Sequence, residues 1–175
     1  MAFFHSKIIL GILTQEVEKI HLPIERLEPF FGGEELRSEI IPFSFTAYYE
    51  KEMGAGLFRV WVSFRSVFPR ERLKELKVAT MGVERDFQRG PSRIFNLDPG
   101  ILTLSHLLLL TTKDYAHRIY LGDGIFCELT LLYRKGRYEA LPWTYPDYRT
   151  ETAQNFFQKV RNQLKRDLSF KKNQL

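Results

Sequence analysis

Seven polar side chains between positions 96 and 130 are of types that could together bind and act on a phosphate-bearing ligand. The candidates for ligand binding are Asn96, Lys113, Arg118, Tyr120 and Thr130, and the candidate catalytic acids are Asp98 and Glu128. Arg118 could hold a phosphate through its planar guanidinium, and Lys113 could add a point charge. Asp98 or Glu128 could act as a general base or as a magnesium ligand.

Several of these side chains, and the neighbouring His117, also have a structural explanation. Asp98 precedes Pro-Gly and could cap a helix or begin a turn. Lys113 could end a helix, where its charge suits the helix dipole. Arg118 and Glu128 could form a cross-strand ion pair, and His117 belongs to the apolar face of its strand. The sequence therefore leaves open whether this cluster is a site.

Known catalytic and cofactor motifs are missing from the sequence. It has no phosphate-binding P-loop, and the glycines at 54–56 are too few for a dinucleotide fingerprint. Ser105-His106 lacks the elbow of a serine hydrolase. No paired-histidine metal motif occurs among His5, His21, His106 and His117. We expect no metal site built from histidine and cysteine. The sequence does not identify a cofactor.

The composition predicts one α+β domain over residues 1–175. A chain of this length can bury a large core, and 44% hydrophobic and 27% charged residues are typical of globular proteins. The single cysteine, Cys127, excludes an internal disulfide and suits a reducing compartment. No stretch approaches the about 20 apolar residues of a spanning helix, and no signal peptide is recognisable. We therefore expect a cytoplasmic protein without a membrane partner.

The formal net charge of +5 comes largely from the basic C-terminal segment. A basic helix face can attract nucleic acid, but it is more often a solvated surface. A nucleotide or RNA is therefore the candidate partner, and the oligomeric state stays open.

The first hundred residues follow the order strand, helix, strand, strand, helix, strand. The strands are predicted at 7–13, 38–45, 57–65 and 93–97, and the helices at about 14–31 and 70–88. Pro42 places the second strand at a sheet edge, since proline cannot donate to a central ladder. This order predicts a ferredoxin-like βαββαβ core.

The next segment is ambiguous. Asp98-Pro99-Gly100 fits either a helix cap or a type II turn. The run 103–112 is rich in leucine without β-branched residues inside the apolar part, which favours a short buried helix over a strand.

The residues from 117 to 134 predict a hairpin whose register follows from its apolar face. A three-residue loop, Gly122–Gly124, puts His117, Ile119, Leu121, Ile125, Cys127, Leu129 and Leu131 on that face. Arg118 then lies opposite Glu128, with Tyr120 and Thr130 on the same, polar face. After a reversal at Lys135-Gly136, the aromatic segment 142–149 could stack on a base, but it fits better as a strap over the sheet. A C-terminal helix with Phe156, Val160, Leu164 and Leu168 on one side follows.

The segments NLDPGILTL, TTKDYAHRIYLGDGIF, ELTLLYRKGRYEALPWTYPDYRT and IIPFSFTAYYEKEMGAGL resemble the bacterial domain of unknown function family 4416. The resemblance covers nearly the whole chain and is densest from Asn96 to Thr150. It implies no established reaction, cofactor or partner. Some members of the family carry the label GTP-binding protein, although this sequence has no P-loop or guanine-specificity motif. Where the family pattern has an aromatic residue and a lysine, this chain has Ile101 and His106.

The sequence thus predicts an α+β domain with a ferredoxin-like core, an antiparallel sheet extended by a C-terminal hairpin, and a closing C-terminal helix. Three functions remain: binding of a phosphate-bearing ligand (a nucleotide or RNA), a hydrolase or transferase acting on such a ligand, and a non-catalytic interaction domain.

Overall fold

β1 lies in the interior of a nine-stranded antiparallel sheet, between β7 and β4. The computed structural model describes residues 5–172, and within this range it contains four α-helices. The strands are β1 (His5–Thr14), β2 (Glu34–Arg37), β3 (Ile41–Phe43), β4 (Leu57–Pro69), β5 (Gln88–Arg89), β6 (Ser92–Arg93), β7 (Asn96–Leu102), β8 (His106–Thr111), β9 (Arg118–Gly122), β10 (Ile125–Arg134) and β11 (Arg137–Ala140). The helices are α1 (His21–Phe31), α2 (Glu50–Met53), α3 (Leu73–Asp86) and α4 (Glu151–Lys172).

The main sheet has the order β11-β10-β8-β7-β1-β4-β2. β3 also pairs with β4, and β9 also pairs with β10, while β5 and β6 form a separate two-stranded ribbon. The prediction of a mixed α+β fold with a large antiparallel sheet is confirmed.

Both faces of the central strands are buried. Ile8, Leu10 and Ile12 of β1 pack in one core with residues of α1 and α3, while Ile9 packs in a second core with residues of α4. Successive residues of a strand point to opposite faces, so α1 and α3 cover one side of the sheet and α4 the other. This explains why the β1 sequence is continuously apolar rather than alternating.

The predicted strand with Pro42 is only the three-residue β3, which pairs with β4. Sequence reasoning missed β2, the other short partner of β4, because Glu34–Arg37 is polar. The predicted strand at 93–97 is divided between β6 and the start of β7.

The turn or cap predicted at Asp98-Pro99-Gly100 is wrong, because all three residues lie inside β7. Pairing between β7 and β8 begins only at Gly100, so the missing N–H of Pro99 removes no bond to β8. The glycine permits a close approach of the two strands, since a Cβ on Gly100 would lie 2.2 Å from the Leu108 carbonyl oxygen.

The helix predicted within 103–112 is also wrong, because His106–Thr111 is strand β8. β8 lies between β7 and β10, and its leucines alternate between the two cores. Leucine is favoured in isolated helices, but here pairing on both edges and burial on both faces override that preference.

The β9–β10 hairpin keeps the predicted register only beyond its turn. The loop has two residues, Asp123 and Gly124, both with positive φ, and Gly122 lies opposite Ile125. A bulge in β9 then restores the predicted pairing of Ile119 with Cys127. Ile119 is nevertheless exposed, which corrects its predicted place on a buried face.

A second bulge, at Thr130, also corrects the predicted apolar face. Cys127 packs in the core beside α3, whereas Leu131 packs in the core beside α4. The face predicted to be polar is buried at Glu128 and Thr130.

The sheet divides at one end of β7 and β8. These strands pair only between Gly100–Leu102 and Leu107–Leu109, while β1 pairs with β7 back to Asn96 and β10 pairs with β8 out to Thr111. The free ends of β7 and β8 therefore separate, and this separation positions the cavity described next.

Candidate functional site

A cavity of about 420 Å³ lies where β7 and β8 separate. Its lining includes four of the seven predicted site residues: Asn96, Asp98, Lys113 and Glu128. Lining residues also come from the loop between β3 and α2, from β4, from α3 and from the segment before α4. The site is therefore assembled from distant parts of the chain.

Arg59 of β4 forms the floor of the cavity. Its Nη1 donates to Asp98 Oδ2 at 2.8 Å, and its Nε lies 2.9 Å from Asp147 Oδ2. The Arg59 and Asp147 side chains are 3% and 2% exposed, so this is a buried ion pair, whereas the Asp98 side chain is 27% exposed. Gly11 of β1 makes room for the arrangement, since a Cβ there would lie 2.8 Å from Tyr148 Oη.

Asp98 and Asp147 share Arg59, yet their pKa values move in opposite directions. Burial would raise the pKa of Asp98, but the charges of Arg59 and Lys77 outweigh it and hold this pKa below its ordinary value. At Asp147 the loss of solvation outweighs Arg59, and the pKa lies above its ordinary value. One cavity therefore holds a carboxyl that favours the ionised form and one that more readily accepts a proton.

α3 supplies the partners that the separated end of β7 lacks. Lys77 Nζ donates to the Leu97 carbonyl oxygen at 3.1 Å, and Leu97 N donates to Glu84 Oε1 at 2.7 Å. These two buried side chains thus satisfy backbone groups that face away from β1. Burial raises the pKa of Glu84 despite the nearby cation of Lys77.

Arg93 connects the cavity to α2. Its Nη1 donates to Asn96 Oδ1 at 2.8 Å, while its Nε and Nη2 each donate to the Glu52 carboxylate at 2.7 Å. Asn96 Nδ2 in turn donates to Asp98 Oδ2 at 3.0 Å. The Asn96 side chain is therefore held between the Arg93 guanidinium and the Asp98 carboxylate.

Glu128 lies in the cavity wall and is held by three side chains. Arg118 Nε donates to its Oε2 at 3.0 Å, His117 Nε2 lies 2.9 Å from the same oxygen, and the Thr130 hydroxyl donates to its Oε1 at 3.3 Å. The predicted pairing of Arg118 with Glu128 is confirmed. Both side chains are buried, at 8% and 2% exposure, so the pair does not lie on an open face.

The aromatic segment before α4 packs partly as the predicted strap, and it also contributes to the cavity lining. Tyr148 is buried against Trp61 and Phe157, as a strap would be. Tyr145 lines the cavity and its Oη accepts a bond from Arg118 Nη2 at 2.8 Å. Trp143 is partly exposed and stacks on His117 with ring centres 5.0 Å apart.

Lys113 lies at the mouth of the cavity. Its Nζ is 3.9 Å from the centre of the Tyr48 ring and 5.8 Å from that of Tyr49. Its side chain makes no ion pair with a carboxylate in the described part of the chain. The other aromatic residues of the lining are Phe43, Phe45, Tyr145 and Tyr148.

Three predicted residues do not line the cavity. Arg118 and Thr130 lie behind its wall, where they hold Glu128. Tyr120 is exposed near the tip of the β9–β10 hairpin, where its Oη accepts a bond from Gly124 N. Within residues 5–172 its side chain forms no hydrogen bond with another predicted site residue.

Sequence reasoning missed Arg59, Lys77, Arg93 and Asp147. One signal was present: Arg59 stands among apolar residues in LFRVWVSF, where a charge on a strand buried on both faces requires a partner. The sequence could not identify that partner, because Asp147 lies 88 positions further along.

Across residues 5–172, no group of three or more His, Cys, Asp or Glu side chains could hold a metal ion. Over the same range, no helix is both long and apolar enough to cross a membrane.

Comparison with known proteins gives one result. Neither a curated protein nor a solved structure matches this chain. A family model, described as Domain of unknown function (DUF4416), matches residues 5–164, a range that includes every residue of the cavity lining. The chain therefore belongs to the DUF4416 family.

Proposed function

We propose that this protein binds a phosphate-bearing ligand of mononucleotide size in the cavity between β7 and β8. The observation that carries the proposal is Lys113, a cation at the mouth of an aromatic-walled cavity that forms no ion pair with a described carboxylate. Arg59 and Arg93, by contrast, are each paired with carboxylates, and the buried Lys77 donates to the Leu97 carbonyl oxygen. Lys113 is thus the cation most available to an incoming anion.

The volume and walls of the cavity also suit a nucleotide. A volume of about 420 Å³ lies in the range of small-molecule sites. Aromatic side chains offer faces on which a base can stack, as they do in proteins that bind single strands. An RNA strand would have to present one extruded nucleotide, because the volume does not admit a longer segment.

Calorimetry and thermal-shift measurements with AMP, GMP, CMP, UMP and inorganic phosphate, each with and without Mg²⁺, test the proposal. We expect Lys113→Ala to bind nucleotides about tenfold or more weakly than the wild type, because a hydrogen bond to a charged group contributes about 1.5–3 kcal/mol. Lys159→Ala, which removes an exposed lysine of α4 outside the cavity, should bind normally. Binding of no nucleotide, or equal binding by both variants, would contradict the proposal.

A hydrolase or transferase is the second candidate, favoured by the opposed pKa values of Asp98 and Asp147. Such opposed environments are typical of acid and base pairs in active sites. Glu128 suits a catalytic role less well, because three side chains already hold its carboxylate. Phosphate release or transfer whose kcat, measured at saturating nucleotide, falls in Asp98→Asn supports this activity; a nucleotide that binds and is never converted argues against it.

The non-catalytic interaction domain remains a third proposal. Helices cover both faces of the central strands, so an interaction surface would lie nearer the β9–β10 hairpin, where Ile119 and Tyr120 are exposed. Lys113→Ala should leave the affinity for a partner bound there unchanged.

We also propose that β1 to β7 form a ferredoxin-like core. β4 lies between β1 and β2, and β1 lies between β4 and β7, so two split βαβ units interleave. The placement of α1 and α3 on one face supports the same assignment. An experimental structure with β7 away from β1 would contradict it.

A further inference from the structure

We infer that a nucleotide enters this cavity base first, with an exocyclic amino group donating to Asp98 at the floor and the phosphate held by Lys113 at the mouth. This inference rests on the proposed binding function and adds the orientation of the ligand and the class of base.

The floor of the cavity offers a hydrogen-bond acceptor. Arg59 and Asn96 both donate to Oδ2 of Asp98, and no described residue donates to Oδ1. The side chain is 27% exposed and lines the cavity. Because the charges of Arg59 and Lys77 keep this carboxyl ionised, Oδ1 can accept a bond from an N–H donor but cannot donate one.

The same floor disfavours a phosphate. Asp98 and Asp147, the two carboxyl side chains that contact Arg59, both line the cavity. Arg59 is shared by the two aspartates, so its charge is already balanced, and Lys77 donates to the Leu97 carbonyl oxygen. A phosphate at the floor would meet repulsion from the ionised Asp98 in a partly desolvated space, where charges interact more strongly than in water. It is therefore more stable at the mouth, beside Lys113.

Aromatic rings connect the mouth to the floor. Lys113 Nζ lies 5.8 Å from the centre of the Tyr49 ring, and Tyr49 lies 6.0 Å from the Phe43 ring. The Phe43 ring lies 5.3 Å from Cζ of Arg59, which binds Asp98. A flat, aromatic group can lie along this path, with its phosphate at one end and a donor at the other. An amino-bearing nucleobase has that shape and that pattern of groups.

Ligand pairs that differ by one amino group test the inference on the unmodified protein. GMP differs from IMP by the 2-amino group, and AMP differs from purine riboside 5′-monophosphate by the 6-amino group. We expect at least one pair to show about tenfold weaker binding of the ligand without the amino group, since its loss removes a hydrogen bond to a charged acceptor. Guanosine and adenosine, which lack the phosphate, are measured beside them.

Lys113→Ala separates the two ends of the ligand. It should remove most of the affinity difference between nucleotide and nucleoside, while the effect of the amino group persists. Equal binding within both pairs, or loss of the amino-group effect in Lys113→Ala, would overturn the inferred orientation even if nucleotides bind. If nucleotides and inorganic phosphate all fail to bind, the proposed function itself fails and the orientation fails with it.

Discussion

Gly11 leaves the space that the side chains of Arg59 and Tyr148 occupy above β1. A Cβ at this position would lie 2.8 Å from Tyr148 Oη and 3.1 Å from Arg59 Nη1, both in a closely packed region. We expect Gly11→Ala to lower the free energy of unfolding by about 1–3 kcal/mol, the usual cost of overpacking. Urea denaturation measures this change, and nucleotide binding should weaken because the floor must shift.

Gly82→Ala is the matched control. Gly82 lies in α3, where an added Cβ would meet only the Arg85 side chain at 3.8 Å, and alanine is the better helix former. This variant should gain about 0.5–1 kcal/mol. If Gly11→Ala were as stable as Gly82→Ala, the residues around Gly11 would not be as closely packed as described.

Asp98 and Asp147 should give opposite pH dependences of stability. The folded state lowers the pKa of Asp98, so its stabilising contribution is complete above the unfolded value of about 3.8 and is lost as the pH falls through the lower, folded value. The folded state raises the pKa of Asp147, so stability increases as the pH falls through that raised value.

Urea denaturation between pH 7 and pH 3 measures both effects. The stability advantage of the wild type over Asp98→Asn should shrink toward low pH, whereas its stability relative to Asp147→Asn should rise. If both stability differences changed with pH in the same direction, the pKa values of Asp98 and Asp147 would not be shifted in opposite directions.

At the scale of elements, Lys7 joins α4 to the sheet. This fully buried lysine of β1 contacts Glu35 of β2 at 3.0 Å and Asp167 of α4 at 2.7 Å. We expect Lys7→Met to lower the free energy of unfolding by about 3 kcal/mol, the lower end for a broken buried pair, since both carboxylates retain some exposure. Chemical denaturation measures the loss.

The reason for the loss can be isolated. Combining Lys7→Met with Glu35→Gln and Asp167→Asn removes the unpaired charges, so this triple variant should be more stable than Lys7→Met alone. Lys165→Met, at an exposed position of α4, should change stability by less than about 0.5 kcal/mol. If the triple variant were less stable than Lys7→Met, the loss of stability would come from packing rather than from unpaired charges.

Elements with a strong local pattern could be predicted, and those decided by distant partners could not. The apolar run of β1 and the four-residue spacing in α4 are visible in the sequence. β8 was predicted as a helix, because nothing within its leucine run reveals that β7 and β10 will flank it. The bulge at Thr130 is likewise invisible, since it arises from pairing with β8.

At the scale of the whole molecule, the candidate site was half predictable. Asn96, Asp98, Lys113 and Glu128 were selected by type and by their predicted places at the ends of elements or on the neighbouring hairpin, and all four line one cavity. Their partners come from regions that are distant in sequence, and only the folded sheet brings them together. Their roles in binding or catalysis stay predictions.

Ligand binding should also raise the stability of the whole chain. At a concentration of 100 times Kd, a ligand that binds only the folded state adds about 2.7 kcal/mol. For a protein of this size that corresponds to a rise in Tm of about 5–10 °C. A nucleotide that binds by calorimetry but leaves Tm unchanged would have to bind the unfolded chain equally well.

Because β7 and β8 separate at the cavity, the site needs both halves of the sheet and cannot be formed by one of them alone. Arg59 and Asp98 belong to the half of the sheet built around β1, whereas Glu128 and Lys113 belong to the half built around β10. The two halves pair directly through only three residues of β7 and three of β8. A fragment containing either half would carry one wall of the cavity and no enclosed space, so transplanting the site to another scaffold would require nearly the entire chain.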